Sequence, residues 1–199
     1  MKHLLLLILL GCTNAAPVES KPTPAAAKDF YEKLSDAAIT LTNDNVEYDH
    51  AYFTIAYPNG DVPKGKGVCT DVVIRAYRKM GIDLQKEVHE DMKKNFGKYP
   101  KAWGLKKTDS NIDHRRVPNL EVFFSRFGES LPVTNKTQDY KPGDIVSWML
   151  PGIHTHIGMV VNKKAASGRY MIVHNIGSGQ VMEDVLFEYT IRGHYRYKK

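Results

Sequence analysis

The sequence predicts an α+β domain in which helices precede an antiparallel sheet. Apolar residues recur at helical spacing in stretches from residue 27 to Phe127, whereas from Asp144 onward they fall into short β-branched or aromatic runs. Helices first and strands afterwards imply segregated layers and an antiparallel sheet. The chain has 199 residues, 42% of them hydrophobic and 25% charged. That is the composition and length of one globular domain, which excludes a disordered tail, a collagen-like repeat and a multi-pass membrane protein.

Residues 1–11 read as a secretory signal. Lys2 and His3 precede an apolar run from Leu4 to Leu10, far short of the about 20 apolar residues that cross a bilayer. The run ends in Leu9-Leu10-Gly11-Cys12, which resembles the bacterial lipoprotein signal and implies lipidation at Cys12. Cleavage after Ala15, where Thr13 and Ala15 fit the small-residue pattern, is the alternative and would discard Cys12. Either route exports the protein, as a periplasmic or cell-surface lipoprotein anchored to the membrane if Cys12 is kept. Residues 12–28 are then the anchor site and a linker whose prolines, alanines and lysines hold the domain, residues 29–199, off the membrane.

Charge narrows the partners. The net charge of +6 loses only Lys2 with the signal, leaving +5, which favours encounter with anionic polymers of the envelope. The basic residues are scattered and no nucleic-acid motif is present, so nucleic acid is not an expected partner.

The domain's elements follow in order. Phe30, Leu34, Ala37, Ala38 and Leu41 place an amphipathic helix over 27–41. A turn-rich loop from Tyr57 through Gly65 and Gly67 leads to Cys69. From there Val72, Val73, Ala76, Tyr77 and Met80 form one helical stripe, closed by Gly81. Leu84 to Phe96 and Val117 to Phe127 give two more helices, separated by a polar connection from Tyr99 to Arg116. Strands are expected at 144–149, 156–161, 170–175 and 194–197.

Cys69 stands where a nucleophile is commonly held. The first turn of a helix stabilises an anion, and that position with a nearby histidine brings a thiol pKa from about 8.5 into the range of about 3.5–7.5. Gly65 and Gly67 let the backbone approach a reacting atom closely. A small buried hydrophobe facing the sheet is the alternative role for Cys69. His154, His156 and His174 follow on or near the strands. Three imidazoles can hold a catalytic zinc, but no HExxH motif accompanies them, and neither metal nor cofactor is expected. His154 is expected in a loop. Asp71 is expected to serve the helix terminus with its side chain turned from the thiol.

The order of cysteine on a helix, then PGDIV, HIGMVV and MIVH resembles the NlpC-type papain-like cysteine peptidases of bacterial cell walls. The resemblance implies a papain-like fold with Cys69 as nucleophile, His156 as general base and His174 as the orienting third member. Asn175 is the alternative third member, since neighbouring strand residues point to opposite faces and only one can look into the site. The resemblance also places Tyr57 at the oxyanion. It departs in two respects: the usual DCSG around the nucleophile is VCTD at 68–71, and residues 84–140 exceed the usual connection. The phrases GVCTDVVIRAYR, DLQKEVHEDM, NIDHRRVPNL, VHNIG and GHYRY are similar to the bacterial envelope family known as domain of unknown function 1287.

The expected activity is hydrolysis of peptide or amide bonds, in peptidoglycan or another envelope substrate, through a Cys-His-His(Asn) triad. An acyltransferase on the same scaffold and a cell-wall-binding lipoprotein without catalysis remain as alternatives. The segment Asn111 to Arg116 reads either as a solvated, salt-bridged loop or as a substrate clamp, in which Arg115 or Arg116 grips a carboxylate.

Overall fold

The structure, a computed structural model, describes residues 27–199. The signal segment 1–11 and Cys12 lie outside the described residues. Helix α1 (Phe30–Thr40) starts later than its apolar spacing suggests because Asp29 caps it. The Asp29 carboxylate accepts from Glu32 N–H at 2.8 Å while Glu32 accepts from Asp29 N–H at 3.0 Å.

After a parallel pair of two-residue strands, β1 (Glu47–Tyr48) and β2 (Lys66–Gly67), the chain enters helix α2 (Cys69–Lys79). Val68 just before it is extended, and its N–H donates to Asp71 Oδ2 at 2.7 Å. The helix ends at Gly81, whose φ of +78° turns the chain, with Ile82 N–H donating to Tyr77 O at 3.0 Å. Helices α3 (Leu84–Asn95) and α4 (Val117–Phe127) follow; Asp83 caps the first and Pro118 opens the second.

Six strands complete the fold: β3 (Glu129–Ser130), β4 (Ile145–Leu150), β5 (His154–Lys164), β6 (Tyr170–His174), β7 (Val181–Glu183) and β8 (Thr190–Arg196). They form one antiparallel sheet in the order β3-β8-β4-β5-β6-β7. This is the α+β arrangement that the NlpC-type resemblance implies, with the cysteine-bearing helix packed on an antiparallel sheet. The short strands β1, β2, β3 and β7 carry too few residues for a period of two to register.

Alternation divides the sheet's two faces. Ile145, Ile157, Met159, Val161 and Val173 belong to the core shared with the helices, and Val146, Trp148, Val160 and Ile172 to a second cluster with Tyr140 and Leu186. Each such burial contributes about 1.5–3 kcal/mol. The turn before β4 is fixed twice over. Gly143, at φ +86°, sits where a Cβ would come within 2.7 Å of Tyr31. Buried Asp144 accepts from Arg196 Nε at 2.7 Å and lies 2.8 Å from His194 Nε2. His154 is the first residue of β5, paired with Leu150, and so does not lie in a loop.

Candidate active site

Cys69 occupies the first turn of α2 and is buried, with 5% of its surface exposed. Burial pushes its thiol up to about 12; the backbone N–H groups of Ile157, Thr70 and Cys69 itself, directed at the sulfur, oppose that, and Asp71 adds to it. The thiol is therefore under the influence of the backbone N–H of the residue that follows His156. The α2 terminus contributes about 0.3–2 kcal/mol toward a thiolate, too little to offset the burial alone.

His156 is buried (3% exposed) between Trp148, with ring centroids 5.7 Å apart, and His174, at 5.1 Å. Its Nε2 lies 2.8 Å from His174 Nδ1, and His174 Nε2 lies 2.9 Å from a carboxylate oxygen of Glu183. Gly158 makes the packing possible, since a Cβ there would come within 3.0 Å of His174 Cβ. Burial, then the neighbouring His174, pushes His156 down to about 3. Burial also lowers His174, against the pull of Glu183. At neutral pH the resting groups are a neutral thiol and a neutral imidazole.

Two adjoining cavities meet at this point. One of about 140 Å³ is bounded by Cys69, His50 and Arg115, and one of about 730 Å³ by His156, His154 and Tyr189; Tyr48, Trp103, Arg116 and Thr155 line both. Among the described residues, no aspartate or glutamate lines either one. Tyr57 does not line them. It stands edge-on to His89 at 5.2 Å, 42% exposed, because the loop carrying it packs toward α3 through the Asn59 N–H to Asp83 bond at 2.8 Å. Tyr48 is the tyrosine at the site: after burial, the Cys69 thiol is the main influence raising its phenol.

Arg115 is not free to clamp a substrate. Its fork is spent on Asp71, Nε to Oδ1 and Nη2 to Oδ2 both at 3.0 Å, with both side chains buried. Asp71 thus faces Arg115 and the Val68 N–H. The solvated reading of the 111–116 segment is corrected as well, since Asp113, His114 and Arg115 are all buried. Asp113 lies 2.8 Å from His89 Nδ1, and Asn111 Oδ1 accepts the Ile55 N–H at 2.9 Å. Arg116 lines both cavities, its guanidinium stacked 4.6 Å from the Trp103 ring centroid, whereas Arg115 borders only the smaller one with its fork already occupied. Asn175 is turned from His156: it accepts from Gly177 N–H at 3.1 Å and donates to Gly67 O at 3.4 Å. Among the described residues no group of three or more His, Cys, Asp or Glu is placed to hold a metal ion.

Residues 35–197 match the family described as domain of unknown function DUF1287. The chain belongs to the DUF1287 family. It is 47% identical over 198 residues to "Uncharacterized protein YijF" of Escherichia coli (strain K12), covering 98% of this chain and 97% of that protein. Among solved structures, NlpC1 from Trichomonas vaginalis aligns with 91% of this DUF1287 chain at 15% identity and a TM-score of 0.46. This chain spans 49% of the length of that structure, and the same share of NlpC2 from that organism. An N-acetylmuramoyl-L-alanine amidase from Bacteroides uniformis aligns at 13% identity with a TM-score of 0.47, over 85% of this chain and 99% of the other.

The buried histidines give this DUF1287 domain a definite response to acid. His114, whose Nδ1 has no hydrogen-bond partner among the described residues, is pushed down to about 3 by burial and then by Arg115, as His156 is by burial and then by His174. Each binds a proton at about pH 6.5 when unfolded but resists it when folded. Stability is therefore complete above about 6.5 and falls toward about 3, by up to about 1.4 kcal/mol per pH unit for each group. Asp113, raised by burial, offsets part of this. Urea midpoints should decline from about pH 7 to about pH 4; a constant midpoint across that range would contradict the assignment.

Tyr48, Trp103 and Glu183 lie where the sequence offers no periodicity. The Gly177-Ser178-Gly179 turn was the available signal for Glu183, because a hairpin there sets residues 181–183 beside 172–174.

Proposed function

We propose that this protein is an exported cysteine hydrolase that cleaves peptide or amide bonds of the cell wall, anchored through a lipid on Cys12. One observation carries the reading: a thiol in the first turn of a helix has backbone N–H groups directed at it, among them that of Ile157, the strand residue that follows His156 of the linked pair His156 and His174.

The chemistry follows from that placement. His156 Nδ1 takes the Cys69 proton as the sulfur attacks the carbonyl carbon. The tetrahedral oxyanion is met by a backbone N–H of the α2 terminus and by the Tyr48 hydroxyl. His156 then passes the proton to the departing amine as the C–N bond breaks, and water, deprotonated by His156, releases the acid from the acyl-enzyme. Because the resting pair is neutral, proton transfer accompanies attack. Arg116 is the substrate's electrostatic anchor. With Arg115 neutralised by Asp71 and no acidic residue among the described residues of the cavity walls, its charge favours a substrate carrying a carboxylate near the scissile bond.

The test is digestion of purified wall fragments by the wild-type protein and Cys69→Ala, with product masses. New termini only in the wild-type digest support the reading, whereas identical digests would sink it for that substrate. Arg116→Ala in the same assay should raise KM about tenfold or more, as expected on losing a charged hydrogen bond of about 1.5–3 kcal/mol. Burial of Cys69 favours the second reading, a wall-binding protein without catalysis. Binding of the fragments without cleavage distinguishes it.

A further inference from the structure

Glu183 is bonded to neither the thiol nor its cavities, yet it ends a chain of contacts that begins at His156. It lies on β7, paired with Ile172 on β6, and so sits diagonally across the strands from His174 on the same face. The two separations, 2.8 Å between His156 Nε2 and His174 Nδ1 and 2.9 Å between His174 Nε2 and Glu183, allow only certain proton arrangements. A carboxylate can only accept, and a neutral imidazole carries one N–H.

We infer that Glu183 is a positioning residue that sets the direction of the whole relay by accepting the Nε2–H of His174. His174 Nδ1 is then left as an acceptor. It takes the Nε2–H of His156, and His156 Nδ1 keeps its lone pair for the Cys69 proton. When that proton arrives, the imidazolium holds both N–H groups and the chain already points the right way. Nothing in it has to turn over. Without Glu183, His174 can carry its proton on Nδ1, facing His156. His156 would then need its proton on Nδ1, where it blocks the base. Trp148 and Gly158, which also adjoin this pair, have no acceptor side chain that could replace the carboxylate.

This rests on the reading of Cys69 and His156 as nucleophile and base, and the experiment separates the two. Long-range proton–nitrogen NMR of the histidine side chains assigns the tautomer of His174 in the wild type, Glu183→Ala and Glu183→Gln. The rate of Cys69 alkylation by iodoacetamide at neutral pH is measured in the same proteins. The expected result is an Nε2–H tautomer of His174 in the wild type. In Glu183→Ala it shifts wholly or partly to Nδ1–H, with alkylation slowed about tenfold or more, as for other groups that hold a base in one tautomer. Glu183→Gln, whose amide can accept or donate, falls between. A fast wild-type reaction with both tautomer and rate unchanged in Glu183→Ala overturns the inference. A wild-type rate no higher than that of a free cysteine overturns instead the catalytic reading of Cys69, and the tautomer measurement still decides the role of Glu183.

Discussion

Replacing His156 with alanine is expected to slow alkylation of Cys69 by iodoacetamide at neutral pH by about 10²–10⁴-fold, the usual worth of a positioned general base. Replacing Cys69 abolishes the adduct and, with it, any cleavage of wall fragments. The size of the effect comes from the thiol's surroundings. Raising it from an ordinary 9 to about 12 corresponds to about 4 kcal/mol against ionisation, whereas the helix terminus returns at most about 2 kcal/mol. A proton acceptor must supply the rest, and His156 remains unprotonated far below neutral pH. His156→Ala also leaves His174 Nδ1 without its partner, at about 1–3 kcal/mol. His156→Gln, which keeps a hydrogen-bonding side chain there, therefore serves as the second variant. Alkylation as fast as in the wild type in both folded variants would remove His156 from the mechanism.

Asp71→Ala is expected to destabilise the fold by about 3–5 kcal/mol, because it strands the Arg115 charge in the interior. The loss should appear as a lower urea midpoint with an unchanged slope. Arg115→Ala should cost a similar amount for the converse reason. The pair replaced together, Asp71→Leu with Arg115→Met, should recover much of the stability, since matched apolar side chains leave no buried charge. A single-variant loss below about 1 kcal/mol would mean that water reaches the pair and that it behaves as a surface contact.

The helices could be read from the sequence because each has an apolar stripe and a stop signal that packing reinforces, as with Val72, Val73 and Tyr77 closed by Gly81. Cys69, His156 and His174 stand out in the sequence as candidates because strand and helix patterns bracket them. Tyr57 was misplaced for a physical reason. Chain distance from the cysteine says nothing about which part of an irregular loop folds back, and Asp83 and His89 draw Tyr57 toward α3 while the β1–β2 pairing holds Tyr48 beside the thiol. Arg115 and Arg116 are adjacent and chemically identical. Only the buried carboxylate of Asp71, 44 residues away, separates an arginine whose fork is occupied from one whose charge is open to the cavities. Glu183 was hidden because a three-residue strand leaves no periodic trace.

The chain has two tryptophans; Trp103 borders the cleft, and Trp148 packs against His156, which does. Trp148 is 1% exposed and lies beneath the His156 ring, while Trp103 is 58% exposed with the Arg116 guanidinium over its face. Intrinsic fluorescence is thereby an optical record of this one region. Acrylamide should quench the red-shifted Trp103 component and spare the blue Trp148 component, and an occupant settling against Arg116 should shield the first. Occupancy could then be followed in unlabelled protein, before any bond-breaking assay exists.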